Sequence, residues 1–98
     1  MNAPLPPDER EIAKVLRSFF AGELLTAMPR GGRKRQIVLE HVVQHFEPGR
    51  RYEEPEVNLV LRQVWPRDVA ALRRYLVDAH LLERGDGKYW RIGGQVAL

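Results

Sequence analysis

The chain has 98 residues and a formal net charge of +3, from 16 basic and 13 acidic residues, and 44% of its residues are hydrophobic. These values predict one globular domain with a single modest core, and they exclude a highly charged disordered chain. Cysteine is absent, which excludes disulfides, thiolate catalysis and cysteine-ligated zinc.

The two ends of the chain and its apolar runs indicate where in the cell the protein is located and where its domain begins and ends. The opening residues MNAPLPPDER lack the basic and apolar blocks of a secretory signal peptide, and no apolar run is long enough to cross a membrane. This pattern favours a cytoplasmic protein without membrane contact. Residues 1–7 are rich in proline and residues 93–98 follow the last predicted strand, so both are expected to be tails of a single domain over residues 8–92.

The first half of the domain predicts two helices separated by a short strand. Apolar residues recur at helical spacing after Asp8, which is suited to cap the first helix, and Gly22 ends that helix. The apolar segment ELLTAMP predicts a short strand. A second helix over about residues 33–46 has a broad apolar face, which indicates the most buried helix of the domain.

The second half predicts a short strand around Tyr52, two helices and a hairpin. Glu54 and Pro55 open the third helix, because proline and acidic residues both suit a first turn. The segment WPRD separates this helix from a fourth, for which Asp68 is the N-cap. The residues expected on the outward face of the fourth helix are Arg67, Ala71, Arg74 and Asp78. This order of elements predicts an α+β fold, mainly α: a winged helix-turn-helix with an additional N-terminal helix and a C-terminal β-hairpin wing.

The register of the C-terminal hairpin depends on the length of its loop. A three-residue Gly-Asp-Gly loop pairs Leu82 with Trp90, whereas a two-residue Asp-Gly loop places Leu82 opposite Arg91. The first register sets apolar against apolar and is the one predicted. It also brings Arg84 and Lys88 side by side at the tip, which is unfavourable unless an anion lies nearby.

Several short motifs occur in the order that is typical of one family. They are LTAMP with RKR after it, VLE at 38–40, FEPGRRY at 46–52, EVN at 56–58, LRRYLVD at 72–78, LLER at 81–84 and YWR at 89–91. On these residues, the segment from Leu25 to Ile92 resembles a prokaryotic family of uncharacterised domains. Members occur alone or fused behind helix-turn-helix transcription regulators of the arsenical-resistance-repressor type. The resemblance implies a winged-helix-like transcription factor domain and no defined mechanism.

The basic residues are clustered, which directs attention to anionic partners. If the fourth helix lies in a major groove, Arg74 can reach a phosphate or a guanine edge. The basic loop before the second helix and the hairpin tip can then contact the DNA backbone, in a complex that weakens steeply with salt. The candidate DNA-binding residues are Arg30, Arg33, Lys34, Arg35, Arg67, Arg74, Arg84 and Lys88.

These cations also have structural alternatives. Arg74 lies four residues before Asp78, a spacing at which the two can pair on the helix surface, and Asp78 would repel phosphate. Arg73, nearer the inner edge of the helix, is expected to pack its stem and pair with a carboxylate. The basic loop and the hairpin tip are alternatively solvated segments without a ligand.

Other chemistries have less support. His41 and His45 have the spacing of two metal ligands on a helix, but no third ligand with suitable geometry accompanies them, and no catalytic arrangement is recognisable. No metal, cofactor or enzyme activity is therefore predicted. Leu59 is expected to face away from the core and, with Phe20, is a candidate homodimer surface. The predicted function is a DNA-binding transcription regulator domain with double-stranded DNA as partner. The alternative is a protein-interaction or ligand-sensing module of the same shape, which binds a regulator partner and no DNA.

Overall fold

The computed structural model of the protein describes residues 7–93. In chain order its elements are α1 (Pro7–Phe19), β1 (Phe20–Ala21), β2 (Leu24–Leu25), α2 (Gly32–Val42), a 3-10 turn (Val43–His45), β3 (Arg51–Glu53), α3 (Glu54–Val64), α4 (Val69–Asp78), β4 (Leu82–Gly85) and β5 (Lys88–Arg91). This part of the chain is a small α+β fold, mainly helical, with two small antiparallel sheets. Within it, no helix is both long and apolar enough to cross a membrane. Most of the two predicted tails, residues 1–6 and 94–98, lies outside the described residues, and Pro7 already belongs to α1.

The first helix, α1, packs against α2 and leads into a tight hairpin. Val15 is buried and Phe19 is partly buried against the core, as the apolar spacing predicts. Strands β1 and β2 then pair so that Phe20 lies opposite Leu25. Gly22 permits the turn between them because its φ is 64°, in the left-handed region that glycine adopts without strain. The strand predicted in ELLTAMP is therefore present, as the second arm of this hairpin.

The central helix is α2, as its broad apolar face predicts. The buried residues of α2 and of the 3-10 turn that continues it are Ile37, Val38, Leu39, Val42 and Val43. The regular helix is shorter than predicted, because its end tightens into the 3-10 form. Phe46 follows and packs edge to face on Tyr52, with ring centroids 5.1 Å apart. This contact joins the end of α2 to β3.

Two helices, α3 and α4, follow with a short turn between them. The backbone N–H of Glu53 donates a hydrogen bond to Oε1 of Glu56 at 3.0 Å, which closes the start of α3. The carboxylate of Asp68 accepts a hydrogen bond from the backbone N–H of Ala71 at 3.0 Å, which confirms Asp68 as the N-cap of α4. The fully buried residues of the two helices are Val57, Leu61, Val64, Leu72 and Leu76.

The three-stranded sheet has the order β3-β5-β4, and its pairs are antiparallel. Tyr52 of β3 lies opposite Tyr89 of β5, and both are buried. Side chains alternate between the two faces of a strand. Arg51 and Trp90 consequently share the outer face, where the guanidinium lies 4.2 Å from the centroid of the indole ring. The sheet therefore closes the core with one face and carries charged and aromatic residues on the other.

The predicted register of the β4–β5 hairpin is wrong by one residue. The strands are joined by a two-residue Asp-Gly loop, so that Leu82 lies opposite Arg91 and Arg84 opposite Tyr89. Both loop residues have positive φ, 51° and 75°, which is the backbone of a turn whose twist matches that of the flanking strands. Strand β3, on the far side of β5, holds Tyr89 on the inner face opposite Tyr52. The predicted register rested on the apolar pair of Leu82 and Trp90 within the hairpin and did not include this third strand.

Candidate nucleic-acid interface

The outward face of α4 is a stripe of three exposed residues. Ala70, Arg74 and Asp78 follow one another at four-residue spacing, and all three are exposed. Leu72, on the inner side, is fully buried. Ala71, predicted for the outward face, is only 9% exposed. Ala71 is rotated by about 100° around the helix axis from Ala70, so its side chain turns toward the core.

Arg74 lies in the middle of this stripe. Its guanidinium is 5.8 Å from the centroid of the Tyr75 ring. Among the residues that the structure describes, Arg74 makes no ion pair, so the alternative pairing with Asp78 is not formed. The charge of Arg74 is therefore free to meet an anion from solvent.

Arg35 reaches the same surface from α2. Its guanidinium lies 4.4 Å from the centroid of the Tyr75 ring, and its Nε donates a hydrogen bond to the carbonyl of Pro29 at 2.9 Å. Tyr75 thus contacts one guanidinium from each of two helices. The first turn of α2 and the outward face of α4 are consequently neighbours, although about forty residues separate Arg35 from Arg74.

A cleft of about 350 Å³ separates α4 from the C-terminal hairpin. The residues that line this α4–hairpin cleft are Ala70, Arg73, Arg74, Val77, Asp78, Arg84 and Tyr89. Because the lining holds three arginines and one acid, its net charge is positive. Arg84 enters it from β4, with its guanidinium 5.9 Å from the centroid of the Tyr89 ring.

Arg84 and Lys88, predicted side by side at the hairpin tip, lie on opposite faces of the hairpin. Arg84 is opposite Tyr89, on the face that turns to α4. Lys88 lies between Gly85 and Glu53 on the other face and forms an ion pair with Glu53. The observed register therefore separates the two like charges that the predicted register had placed together.

Arg73 is held in a polar network behind the cleft, as predicted for the inner edge of α4. Its guanidinium donates a hydrogen bond to Oδ1 of Asn58, and its Nε lies 3.9 Å from Oε1 of Glu54. The Tyr89 hydroxyl donates to the same Glu54 oxygen at 2.9 Å. Burial raises the pKa of the Tyr89 phenol, and the hydrogen bond to Glu54 acts in the same direction. This network ties α3, α4 and β5 together and makes Arg73 a structural cation.

The basic run at the start of α2 is divided between two faces of the molecule. Arg33 turns to α1, with its Nε 2.6 Å from Oε1 of Glu11 and its Nη2 3.7 Å from Oδ1 of Asp8. The hydrogen bond to Glu11 and the charge of that carboxylate raise the pKa of Arg33. Lys34 lies beside Lys14 in a groove lined by α1. Neither Arg33 nor Lys34 lines the α4–hairpin cleft.

The eight candidate cations therefore fall into three groups. Those that come together around α4, and that we call the α4 cationic surface, are Arg35, Arg74 and Arg84. Those that are exposed ahead of α2 or α4, without an ion pair in the described part of the chain, are Arg30 and Arg67. Those that face other elements are Arg33, Lys34 and Lys88.

Two residues that position cations around α4 are absent from the sequence-based prediction. Tyr75 connects Arg35 to Arg74, and no local pattern relates residues so far apart in the chain. Glu54, which holds Arg73 and Tyr89, was attributed to the start of α3 alone. One signal for Glu54 was available in the sequence. Arg73 was expected to pair with a carboxylate, and the acidic start of α3, the neighbouring helix in the predicted helix pair, offers one.

His41 lies away from the α4 cationic surface. Its ring packs edge to face on Phe20, with centroids 5.0 Å apart. Burial lowers the pKa of His41, and the neighbouring His45 lowers it further. Within residues 7–93, no group of three or more histidine, cysteine or acidic side chains is arranged to hold a metal ion.

Comparison with known proteins identifies the family of the chain. No curated protein and no solved structure matches the chain significantly. A family model described as an uncharacterized protein conserved in bacteria, DUF2087, matches residues 24–91. The matched region contains every element from β2 to β5, including α4 and the α4–hairpin cleft. The chain therefore belongs to the bacterial family DUF2087.

Proposed function

We propose that the chain is a winged-helix DNA-binding domain of a cytoplasmic transcription regulator, with α4 as the recognition helix. The observation that carries the proposal is Arg74, which is exposed in the middle of the outward face of α4 and makes no ion pair in the described residues. Arg35 and Arg84 stand on either side of it. A recognition helix needs an outward cation that can reach base edges, with further cations beside it for the backbone.

The order of the elements supports this proposal. Helix α2, strand β3, helices α3 and α4 and the β4–β5 hairpin follow one another as in a winged helix-turn-helix, and β3 pairs with β5. Only residues 65–68 separate α3 from α4, which is the length of the turn in that motif. In this interpretation α1 and the β1–β2 hairpin are an N-terminal addition, and the β4–β5 hairpin is the wing.

The distribution of charge also supports it. Arg84 borders α4 on the hairpin side and Arg67 precedes α4, so both are near the positions where the sugar–phosphate backbones flank an inserted helix. The net charge of the chain is only +3. Affinity for DNA would therefore depend on this local group of cations and not on the overall charge.

The proposal is tested by the binding of a random-sequence DNA duplex at two salt concentrations. The variants Arg74→Ala and Arg84→Ala should each weaken binding at least several-fold, since each removes a cation that contacts DNA. Arg17→Ala is the matched control: it removes the same charge from an exposed position on α1, whose main packing partner is α2. If both test variants bind like the wild-type chain, α4 is not the recognition helix.

A second candidate is a protein-interaction or ligand-sensing module of the same shape. Two observations favour it: Asp78 stands on the outward face of α4, where it repels phosphate, and Leu59 of α3 and Leu24 of β2 are 56% and 45% exposed. Such a module would form a homodimer or bind a regulator through these leucines. It would bind no duplex even at low salt, which the same assay detects.

A further inference from the structure

We infer that Arg74 and Asp78 read DNA sequence as a pair, with Arg74 contacting a guanine and Asp78 a cytosine in the major groove. This inference rests on the proposed function and adds a base preference, which backbone contacts alone do not supply. It starts from Asp78, an exposed carboxylate beside the α4 cationic surface.

Asp78 contributes little to the stability of the folded chain. It is the last residue of α4, where the partial negative charge of the helix end opposes a carboxylate. Arg74 lies one turn before it and Arg84 lines the same cleft, yet Asp78 makes no ion pair among the described residues. The carboxylate would also repel the phosphates of a bound duplex. Neither helix stability nor backbone binding therefore accounts for an acid at this position.

Hydrogen-bonding chemistry in the major groove does account for it. A carboxylate only accepts hydrogen bonds, and the major groove offers it two donors, the N4 amino group of cytosine and the N6 amino group of adenine. Adenine places its acceptor N7 beside that donor, which repels a carboxylate, so cytosine is the better partner for aspartate. A guanidinium only donates, and guanine presents two acceptors, O6 and N7, to which arginine binds with both arms. Arg74 and Asp78 are therefore complementary to the two bases of G·C pairs.

The geometry of the stripe permits both contacts at once. Residues four apart are separated by about 6 Å along a helix, and successive base pairs by about 3.4 Å, so the two side chains meet bases within about two steps. The Arg74 guanidinium rests toward the Tyr75 ring and not on Asp78, so the two groups are free to address different bases. Ala70, one turn before Arg74, is exposed and small, which lets the helix approach the groove closely.

The test is a selection of bound duplexes from a random-sequence pool, carried out with the wild-type chain, Asp78→Ala and Asp78→Asn. The wild type should enrich a site that contains guanine and cytosine, and replacing the selected cytosine should weaken binding about tenfold. Asp78→Ala should lose the cytosine preference while it binds the unselected pool more tightly, because a repulsive charge has gone. Asp78→Asn should prefer adenine at that position, since an amide pairs with the N6 and N7 edge of adenine.

Glu83→Ala is the matched control for charge. Glu83 is an exposed acid of β4 that lies opposite Trp90, on the hairpin face turned away from the α4–hairpin cleft. Its loss should leave the selected sequence unchanged. If the wild-type chain binds duplexes without cytosine enrichment, or if Asp78→Ala selects the wild-type site, the inference is wrong and the proposed function stands. If no duplex binds at low salt, the proposed function fails and the inference fails with it.

Discussion

His80 has a backbone conformation that is unusual for a residue with a side chain. Its φ is 59°, in the left-handed region, directly after the last turn of α4. The backbone N–H of Leu81 donates to the carbonyl of Leu76, and that of His80 donates to the carbonyl of Val77. This is the pattern of a Schellman motif, in which glycine usually occupies the position of His80. The C-terminus of α4 is thus capped by a Schellman motif in which the backbone of His80 is strained.

The variant His80→Gly should raise the free energy of unfolding by roughly 0.5–1 kcal/mol, because the relief of left-handed strain exceeds the extra entropy that glycine loses on folding. Ala79→Gly is the control, since Ala79 has a φ of −82° and gains nothing from glycine. That change should lower stability by a similar amount. Urea unfolding followed by circular dichroism measures both, and a loss of stability in His80→Gly would contradict the assignment of strain.

The positions of single side chains were predictable where helical periodicity alone decides them. The exposure of Arg74, the inner-edge location of Arg73 and the capping role of Asp68 all follow from spacing within one helix. The separation of Arg33 from Arg35 does not. Which of these two neighbours meets α1 and which meets α4 depends on how three helices pack, and no local pattern carries that information.

The N-cap of α4 is the local interaction that holds the start of the proposed recognition helix. Asp68→Ala should lower the free energy of unfolding by about 1 kcal/mol, because the backbone N–H of Ala71 loses its acceptor. Asp78→Ala, at the other end of the same helix, should cause no loss, since it removes an acid from the negative end. Thermal unfolding of the two variants measures the difference, and equal destabilisation would contradict the specific role of Asp68 as N-cap.

The start of α3 should give folding stability a dependence on acidic pH. The hydrogen bond from the Glu53 backbone N–H lowers the pKa of Glu56, and Arg50 lowers it further. A carboxyl with a lowered pKa in the folded state stabilises the fold above its unfolded pKa, and this contribution is lost as the pH falls through the folded pKa. Glu56→Gln should therefore be less stable than the wild type near neutral pH.

That difference should shrink as the pH is lowered below the ordinary glutamate range, because the wild-type carboxyl then becomes protonated as well. Chemical unfolding at a series of pH values measures it. Glu83→Gln, which changes an exposed acid whose side chain makes no hydrogen bond or ion pair among the described residues, should differ little from the wild type at any of these pH values. A constant difference between wild type and Glu56→Gln across the series would contradict the role of this carboxylate.

The elements themselves were mostly predictable, and their pairing was not. Four helices, the strand at Tyr52 and the C-terminal hairpin all carry strong local signals of period and capping. The β1 arm at Phe20 carried none, since it is two residues long and directly continues α1. The predicted hairpin register was wrong because the observed one is set in part by β3, which pairs with β5. That pairing of Tyr52 with Tyr89 joins segments that are far apart in the chain.

At the scale of the whole molecule, the salt dependence of DNA binding should report how many cations are available. The logarithm of the binding constant falls with the logarithm of salt concentration by about 0.9 per phosphate contact. The exposed or α4-facing candidates without an ion pair are Arg30, Arg35, Arg67, Arg74 and Arg84. If Arg74 contacts a guanine and the other four contact phosphate, the slope is about −3 to −4.

Arg84→Ala should reduce the size of that slope by about one, whereas Lys88→Ala should leave it unchanged, because Lys88 is already paired with Glu53. Binding titrations over a range of salt concentrations measure the slopes. A slope near −6, about the value for every candidate cation except Arg74, would show that the ion pairs of Arg33 and Lys88 open on DNA.

The Asp-Gly loop at the tip of the β4–β5 hairpin decides which aromatic residue enters the interior. A slip of one residue between the two strands would turn the indole of Trp90 inward and the phenol of Tyr89 outward. Glu54 would then lose a donor, and the lysine now on the far face would join Arg84 beside α4. The left-handed backbone of two loop residues thus determines both which aromatic ring packs in the core and how strongly positive the surface beside α4 is.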